Sequence, residues 1–320
     1  MKELIADVSH YNNPVDYKGL KDAGFVSVIA KAGQGMRVDS MVKVHAAGTK
    51  AAGMYLGIYY WPDPLQDEVQ QAEHAAELAD LLHADYIAGD NEQWWADWAK
   101  WERAIMRKIP WSDVPKLSSK QINKASRGFL DHLAKIQSRR LLNYTSIGFI
   151  NTYCRDMLTW INVYSTWLAQ YHATGPNKDL KRQYVTFDQL KALYLPITEP
   201  YYPQTMDEPT AWQWTGDRFT APGNLDAMDI SFWWNRVQTI GEWVGGPQPE
   251  PVVLPWQDKR LKSWVRGLNV REAPNSVPGT KILRILVPGL QIRIVPDHLE
   301  NGVWAKLYGE PGYIHSGYIE

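Results

Sequence analysis

The feature that most constrains this chain is an alternation. Residues 3–8, 25–30, 54–61 and 86–92 are short apolar or aromatic runs, and the stretches between them, near 17–23, 40–52 and 67–83, have helix-compatible composition. The third is the clearest helix, with Ala72, Ala75, Ala76, Ala79 and Leu82 recurring at intervals of three and four. A strand-helix-strand unit repeated three times predicts a parallel sheet with helical crossovers. In such sheets the reactive side chains collect at the C-terminal ends of the strands. Here those ends carry Asp7, Lys31, Tyr60, Trp61, Asp90 and Glu92.

Farther along, a strand through Leu141 and Leu142 ends at Asn143-Tyr144-Thr145-Ser146, and another over residues 160–168 closes at Ala169-Gln170-Tyr171-His172. Residues 175–209 are broken by Pro176, Pro196, Pro200, Pro203 and Pro209 around a helix-compatible stretch at 187–193, and read as an elaborated loop. Strand character resumes at Ala211-Trp212-Gln213-Trp214-Thr215, and a short segment ends at Asp229. Between the strand ending at Glu92 and a helix over residues 118–135, Trp94, Trp95, Trp98, Trp101 and Trp111 crowd one segment. Such rings roof a cleft, make an interface or simply pack against a barrel. Ser118-Ser119-Lys120-Gln121 is a capping signal for the helix that follows.

Within Asp90-Asn91-Glu92, the period of two along a strand puts both acids on one face and turns Asn91 away. Two carboxyls sharing a small space raise the pKa of at least one, which yields a proton donor near neutral pH. In isolation such a pair also reads as solvated turn residues.

Composition excludes several classes. The net charge of -1 gives no electrostatic drive toward nucleic acid or an anionic membrane. Cys154 is the single cysteine, so neither an intrachain disulfide nor a cysteine-rich zinc site is available. His10, His172 and His315 are too scattered to suggest a metal cluster. No apolar run is long enough to span a bilayer, and Met1–Asp7 leads into a strand without a signal-peptide core. Trp and Tyr number 16 and 17 against 6 Phe, a bias toward rings with polar edges that suits sugars as well as interfaces.

Gly245-Gly246-Pro247-Gln248-Pro249-Glu250-Pro251 is a linker by composition. Beyond it, runs at 267–271, 281–286, 291–295, 303–307 and 312–314, separated by Gly, Pro, Asn or Asp, predict a small closed β-barrel. The expected organisation is a catalytic domain over 1–244, a linker over 245–255 and a second domain over 256–320.

Residues 4 to about 240 resemble glycoside hydrolase family 25, the lysozymes or N-acetylmuramidases. The resemblance is carried by Asp7-Val8-Ser9, Ala30-Lys31-Ala32 with Gly35, Gly57-Ile58-Tyr59-Tyr60, Gln71-Ala72, Asp90-Asn91-Glu92 and Tyr144-Thr145-Ser146. Trp167-Leu168-Ala169 with Tyr171, Trp212-Gln213-Trp214-Thr215, Pro222-Gly223 and Asp229 with Phe232 complete it. Residues 265–320 are similar to bacterial SH3-like wall-targeting domains, through Leu268-Asn269-Val270-Arg271, Trp304-Ala305-Lys306-Leu307 and Gly312-Tyr313-Ile314-His315.

The first resemblance implies an irregular (β/α) barrel that cleaves the β-1,4 bond between N-acetylmuramic acid and N-acetylglucosamine, with no cofactor or metal. Glu92 matches the family's general acid/base; Asp90 is expected to assist it, and Asp7 and Asp229 to hold charge and orientation. Asp229 is preferred over Asp226 because it lies three residues before Phe232. The implied stereochemistry is retaining, with the substrate's N-acetyl oxygen or an enzyme carboxylate as the second group. Tyr60, Trp61, Tyr144, Tyr171 and Trp212 match cleft-lining positions, and Lys31 reads either as a cleft donor or as a charge partner for an acid. Two departures from the family stand out: Asn91 occupies an outward position usually apolar, and the Trp-rich segment and the loop before Pro209 are enlarged.

Together the two resemblances imply a phage-type endolysin that binds bacterial peptidoglycan through both domains. It is expected to be made in the host cytoplasm and to reach the wall through a holin-made lesion. A barrel that binds wall glycan without turnover, and a hydrolase of another N-acetylated glycan such as chitin, are the alternatives.

Overall fold

The computed structural model describes residues 3–171, 183–184, 200–220, 228–235, 237–245, 257–260, 268–272, 280–286, 291–300, 304–307, 312–315 and 319. The expected helix at 187–193, Pro222-Gly223 and Asp226 lie outside the described residues. The chain divides into two compact units, Met1–Pro251 and Val252–Glu320, and the division falls at the end of the Pro/Gly-rich stretch.

In the first unit, β1 (Glu3–Val8), β2 (Phe25–Gln34), β3 (Arg37–Val38), β4 (Tyr55–Trp61), β5 (Tyr86–Asp90), β6 (Arg140–Ser146), β7 (Ser165–Ala169), β8 (Gln183–Tyr184), β9 (Ala211–Thr220) and β10 (Met228–Trp233) join one sheet. Eight of them close into a barrel in the order β1-β2-β4-β5-β6-β7-β9-β10, with β10 pairing back onto β1. Neighbours from β1 round to β9 are parallel, whereas β10 is antiparallel to both of its neighbours. The reversal has a simple cause: only residues 221–227 separate β9 from β10, too few for the crossover that parallel pairing needs. It brings Asp229, at the start of β10, to the same rim as the ends of the parallel strands.

The helices of the described residues are α1 (Tyr17–Asp22), α2 (Val42–Ala51), α3 (Glu68–Leu82), α4 (Trp98–Ile105), α5 (Ser119–Ile136), α6 (Ile147–Tyr153) and α7 (Ile240–Val244). Asp67 caps α3 by accepting from the backbone N–H groups of Val69 and Gln70, both at 2.9 Å. The capping box foreseen at the start of α5 forms between Ser118 and Gln121. Each cap stabilises its helix by about 1 kcal/mol.

Both faces of the barrel strands are apolar because one packs inward and the other meets helices. Ile5, Ile29, Tyr55, Tyr86, Ala88, Leu142, Trp167, Ala211 and Trp233 fill the interior, while Leu4, Ala30, Leu56, Ile58 and Ile87 pack with Ala72, Ala75, Phe129 and Leu130 of the helical layer. Gly57 makes room for Tyr86: a Cβ there would lie 2.4 Å from the Tyr86 Cζ. The Tyr86 hydroxyl is bonded to Ser27 Oγ at 2.8 Å.

Several strand boundaries differ from expectation; β2, for one, runs past residue 30 to Gln34. Residues 161–163 form a 3-10 turn, so β7 begins only at Ser165. β5 stops at Asp90, leaving Glu92 in the following loop. Among the described residues no helix is long and apolar enough to cross a membrane.

In the second unit, β11 (Gln257–Arg260), β12 (Leu268–Arg271), β13 (Ile282–Leu286), β14 (Gln291–Glu300), β15 (Trp304–Leu307) and β16 (Tyr313–His315) form an antiparallel sheet in the order β11-β14-β15-β16-β12-β13. Leu268, Val270, Leu286, Ile294, Ala305, Leu307, Ile314 and Ile319 form its core.

Candidate active site

The site is built at the rim where the parallel strands end. Asp7 on β1 is the direct register partner of Asp229 on β10, so both side chains lie on one face. Gln213 on β9 joins them, its Nε2 donating to Asp7 Oδ2 at 2.9 Å and to Asp229 Oδ2 at 3.3 Å. The Gln213 Oε1 accepts from the hydroxyls of Tyr144 at 2.7 Å and Tyr171 at 2.8 Å. One side-chain amide thus orders two acids and two phenols, and these contacts fix which way round the amide sits.

Across the rim, Asp90 ends β5 beside Tyr144, its register partner on β6. Asp90 is 5% exposed, and its Oδ1 has no hydrogen-bond partner among the described residues. Burial drives its pKa well above the usual carboxylate range, and the charges of Glu92 and Asp7 push the same way against Lys31. Glu92 keeps part of its surface open, yet desolvation by its surroundings pushes its carboxyl up to about 7, again opposed by Lys31. The two acids form one coupled system that retains a proton near neutral pH.

Lys31 balances them. Its Nζ donates to Gln34 Oε1 at 3.0 Å and stands 4.9 Å from the centroid of the Trp61 ring. Burial lowers its pKa, while Asp90, Asp39 and Glu92 favour its charged form. Both sequence readings of Lys31 therefore remain compatible: it lies within the field of the cleft acids and also has a donor to offer.

Asn91 is turned to the outer layer, as the strand period implied, and there its Nδ2 is satisfied while its Oδ1 has no hydrogen-bond partner among the described residues. Its Nδ2 donates to Asn143 Oδ1 at 2.8 Å and to the Gly89 carbonyl at 3.3 Å. Its backbone N–H bonds the Tyr144 carbonyl at 3.0 Å, carrying the β5–β6 ladder one bond past the end of β5. This tether keeps Glu92 beside Asp90 even though Glu92 has left the strand.

Two expected cleft residues are elsewhere. Tyr60 is fully buried in the outer layer, stacked on Phe129 at 5.5 Å, with its hydroxyl bonded to the Gly35 carbonyl and to His74 Nδ1. Trp212 is 1% exposed, packs against Phe232 and Trp234, and donates to the Gln170 carbonyl at 2.9 Å. Both point to the helix side because they lie one residue out of phase with the inward positions. The residues in phase are Tyr59 and Gln213. The Tyr59 pKa is raised far above its usual value, first by burial and then by Asp7, Asp90, Asp229 and Asp39, which puts this phenol among four acids. Asp39 was also missed; it is held by His10 Nδ1 at 2.7 Å and by the Met41 N–H at 2.9 Å. A parity count from Gly57 or Ala211 signals Tyr59 and Gln213, whereas nothing local in the sequence signals Asp39.

Trp61 stands at the rim against Trp95 and Trp98, and Tyr171 is 50% exposed. Among the described residues no group of three or more His, Cys, Asp or Glu is arranged to hold a metal ion. A closed barrel with an inward acid pair at one strand end, faced by a second pair across the rim, suits proton transfer to a bond held between them.

The sequence profile of glycosyl hydrolases family 25 matches residues 6–221. The chain belongs to glycosyl hydrolase family 25. Among solved structures, the family 25 domain is similar to the bacterial lysozyme from Streptomyces coelicolor, at 15% identity and a TM-score of 0.52, over 73% of this chain and 93% of that one. It is similar to the catalytic domain of endolysin ply40 from bacteriophage P40 of Listeria monocytogenes, at 18% identity and a TM-score of 0.50, over 72% and 92% of the two chains. The modular autolysin LytC from Streptococcus pneumoniae, solved in complex with synthetic peptidoglycan ligand, matches at 16% identity and a TM-score of 0.52, over 73% and 47%. At these identities the likeness is one of fold. A comparison with curated proteins finds no match.

Proposed function

We propose that this chain is a peptidoglycan hydrolase that cleaves the β-1,4 bond between N-acetylmuramic acid and N-acetylglucosamine. The observation that carries the reading is the Glu92 carboxyl, raised to about 7 beside the buried Asp90 and therefore able to hold a proton at neutral pH. Glu92 gives that proton to the glycosidic oxygen as the C1–O bond breaks. The substrate's N-acetyl oxygen closes on C1 from the opposite side, and Asp90 orients the amide and balances its developing charge. Water then attacks C1 while the Glu92 carboxylate takes its proton, with net retention. Asp7, Asp229 and Gln213 keep the far side of the cleft ordered and negative. Tyr144, Tyr171 and Trp61 offer rings and hydroxyls to the sugars. Family membership and the fold shared with a lysozyme, an endolysin domain and an autolysin bound to peptidoglycan ligand support this reading.

The second unit is read as an SH3-like wall-binding module, and the pair as an endolysin of phage type released through a lesion in the host membrane. Tethering raises the effective concentration of the hydrolase at an insoluble substrate. The test is digestion of purified peptidoglycan by the full chain, with the new reducing ends identified. Reducing N-acetylmuramic acid is expected. Reducing N-acetylglucosamine alone, or no product from several wall types, would refute the assignment.

A further inference from the structure

The segment between Glu92 and α5 is an excursion with its own core. It is closed at the base by an antiparallel bridge between Trp95 and Lys116 and by bonds from Leu117 N–H to Trp94 O and from Ala96 N–H to Pro115 O, both 2.8 Å. Trp95, Ala104 and Val114 are buried inside it, with Trp98 and Trp101 packed around them. Trp95 stacks on Trp101 at 4.3 Å and meets Trp61 edge-on at 5.8 Å, so the excursion rests on the ring that faces Lys31. These inner rings are accounted for by packing.

A second group of rings is accounted for only in part, Trp94 and Tyr153 packing against the core while Trp111 stays half exposed. Trp94, two residues after Glu92, stacks flat on Tyr153 at the end of α6, with centroids 5.0 Å apart and planes at 5°. Trp111 leans on Trp94 at 6.0 Å and 50° while remaining 50% exposed. The Lys116 ammonium lies 5.8 Å over the Tyr153 ring. The elements that carry these residues follow β5 and β6, the strands that end in Asp90 and its register partner Tyr144. Trp94, two residues after Glu92, therefore sets this angled ring surface next along the chain to the Glu92 end of β5. A flat aromatic face takes the C–H side of a pyranose, and an adjacent ammonium takes a carboxylate or amide carbonyl of the same sugar.

We propose that Trp111, Trp94 and Lys116 form an additional saccharide subsite, holding a sugar residue of the glycan beyond those at the scissile bond. The inference rests on the chain acting on a polysaccharide, as set out under the proposed function. It is tested by binding, which needs no turnover. Full-length Glu92→Gln protein is titrated with a tetrasaccharide and an octasaccharide prepared from peptidoglycan strands stripped of peptide. The octasaccharide should bind more tightly, and Trp111→Ala in the same background should cut that length advantage about tenfold, as expected for one stacked ring. Trp111→Phe should restore most of it, and an unchanged thermal transition shows that the exposed position does not alter folding. A length advantage untouched by Trp111→Ala, or no binding of either length, would overturn the subsite. If native protein releases no reducing ends while Glu92→Gln still shows the Trp111-dependent advantage, the hydrolase reading fails and the subsite stands.

Discussion

Replacing Glu92 with Gln should remove activity and, above neutral pH, make the protein more stable. Burial raises the carboxyl from its ordinary 4.5 to about 7 in the folded chain. Below pH 4.5 the group is protonated in folded and unfolded chains alike. Between 4.5 and about 7 the unfolded chain releases the proton that the folded chain keeps, so stability declines as pH rises, and the loss is complete once pH passes the folded value. At about 1.4 kcal/mol per pH unit, the interval from 4.5 to about 7 amounts to about 3 kcal/mol. Because Glu92 is partly open to solvent and shares protons with Asp90, that figure is a ceiling. Gln cannot ionise, so the variant escapes the loss. In a domain of this size about 3 kcal/mol corresponds to roughly 6–12 °C in Tm. The assay is thermal unfolding of both proteins from pH 4 to pH 8, followed by Trp fluorescence, alongside hydrolysis of peptidoglycan. The two melting curves should coincide near pH 4 and separate toward pH 8, with hydrolysis down by about 100-fold or more. A separation that does not change with pH would refute the buried-acid argument, and undiminished hydrolysis would refute the role given to Glu92.

Two further outcomes are expected. Lys31→Met removes the charge that lowers both Asp90 and Glu92, so both limbs of the pH–rate profile should move upward by about 1–3 pH units; an unmoved profile would show that Lys31 does not set their protonation. Gln213→Leu removes the amide that donates to Asp7 and Asp229 and accepts from Tyr144 and Tyr171, and should cost about 2–4 kcal/mol in urea unfolding.

The sequence alone determined the alternation of β1, β2, β4 and β5 with α1, α2 and α3, the capping box at Ser118, and the strand ends that carry Asp7 and Asp90. These are local properties, written in periods of two and near four and in cap residues, and they survive any tertiary context. It also determined the family, because the ordered run of short motifs from Asp7 to Asp229 constrains the whole domain and not one element. The tertiary structure decided which face each side chain takes. Tyr59 and Tyr60 are equivalent as neighbours in a strand, and only closure of the barrel turns the first toward four acids and the second onto Phe129. The same one-residue phase exchanges Trp212 for Gln213. The antiparallel return of β10 opposes Asp229 to Asp7 across sequence positions too distant for any local pattern to relate. Glu92, off the end of its strand, owes its raised pKa to desolvation by surrounding groups, at a place tethered by a backbone bond of its neighbour Asn91. Burial and long-range pairing are sums over the folded whole, and no stretch of sequence contains them.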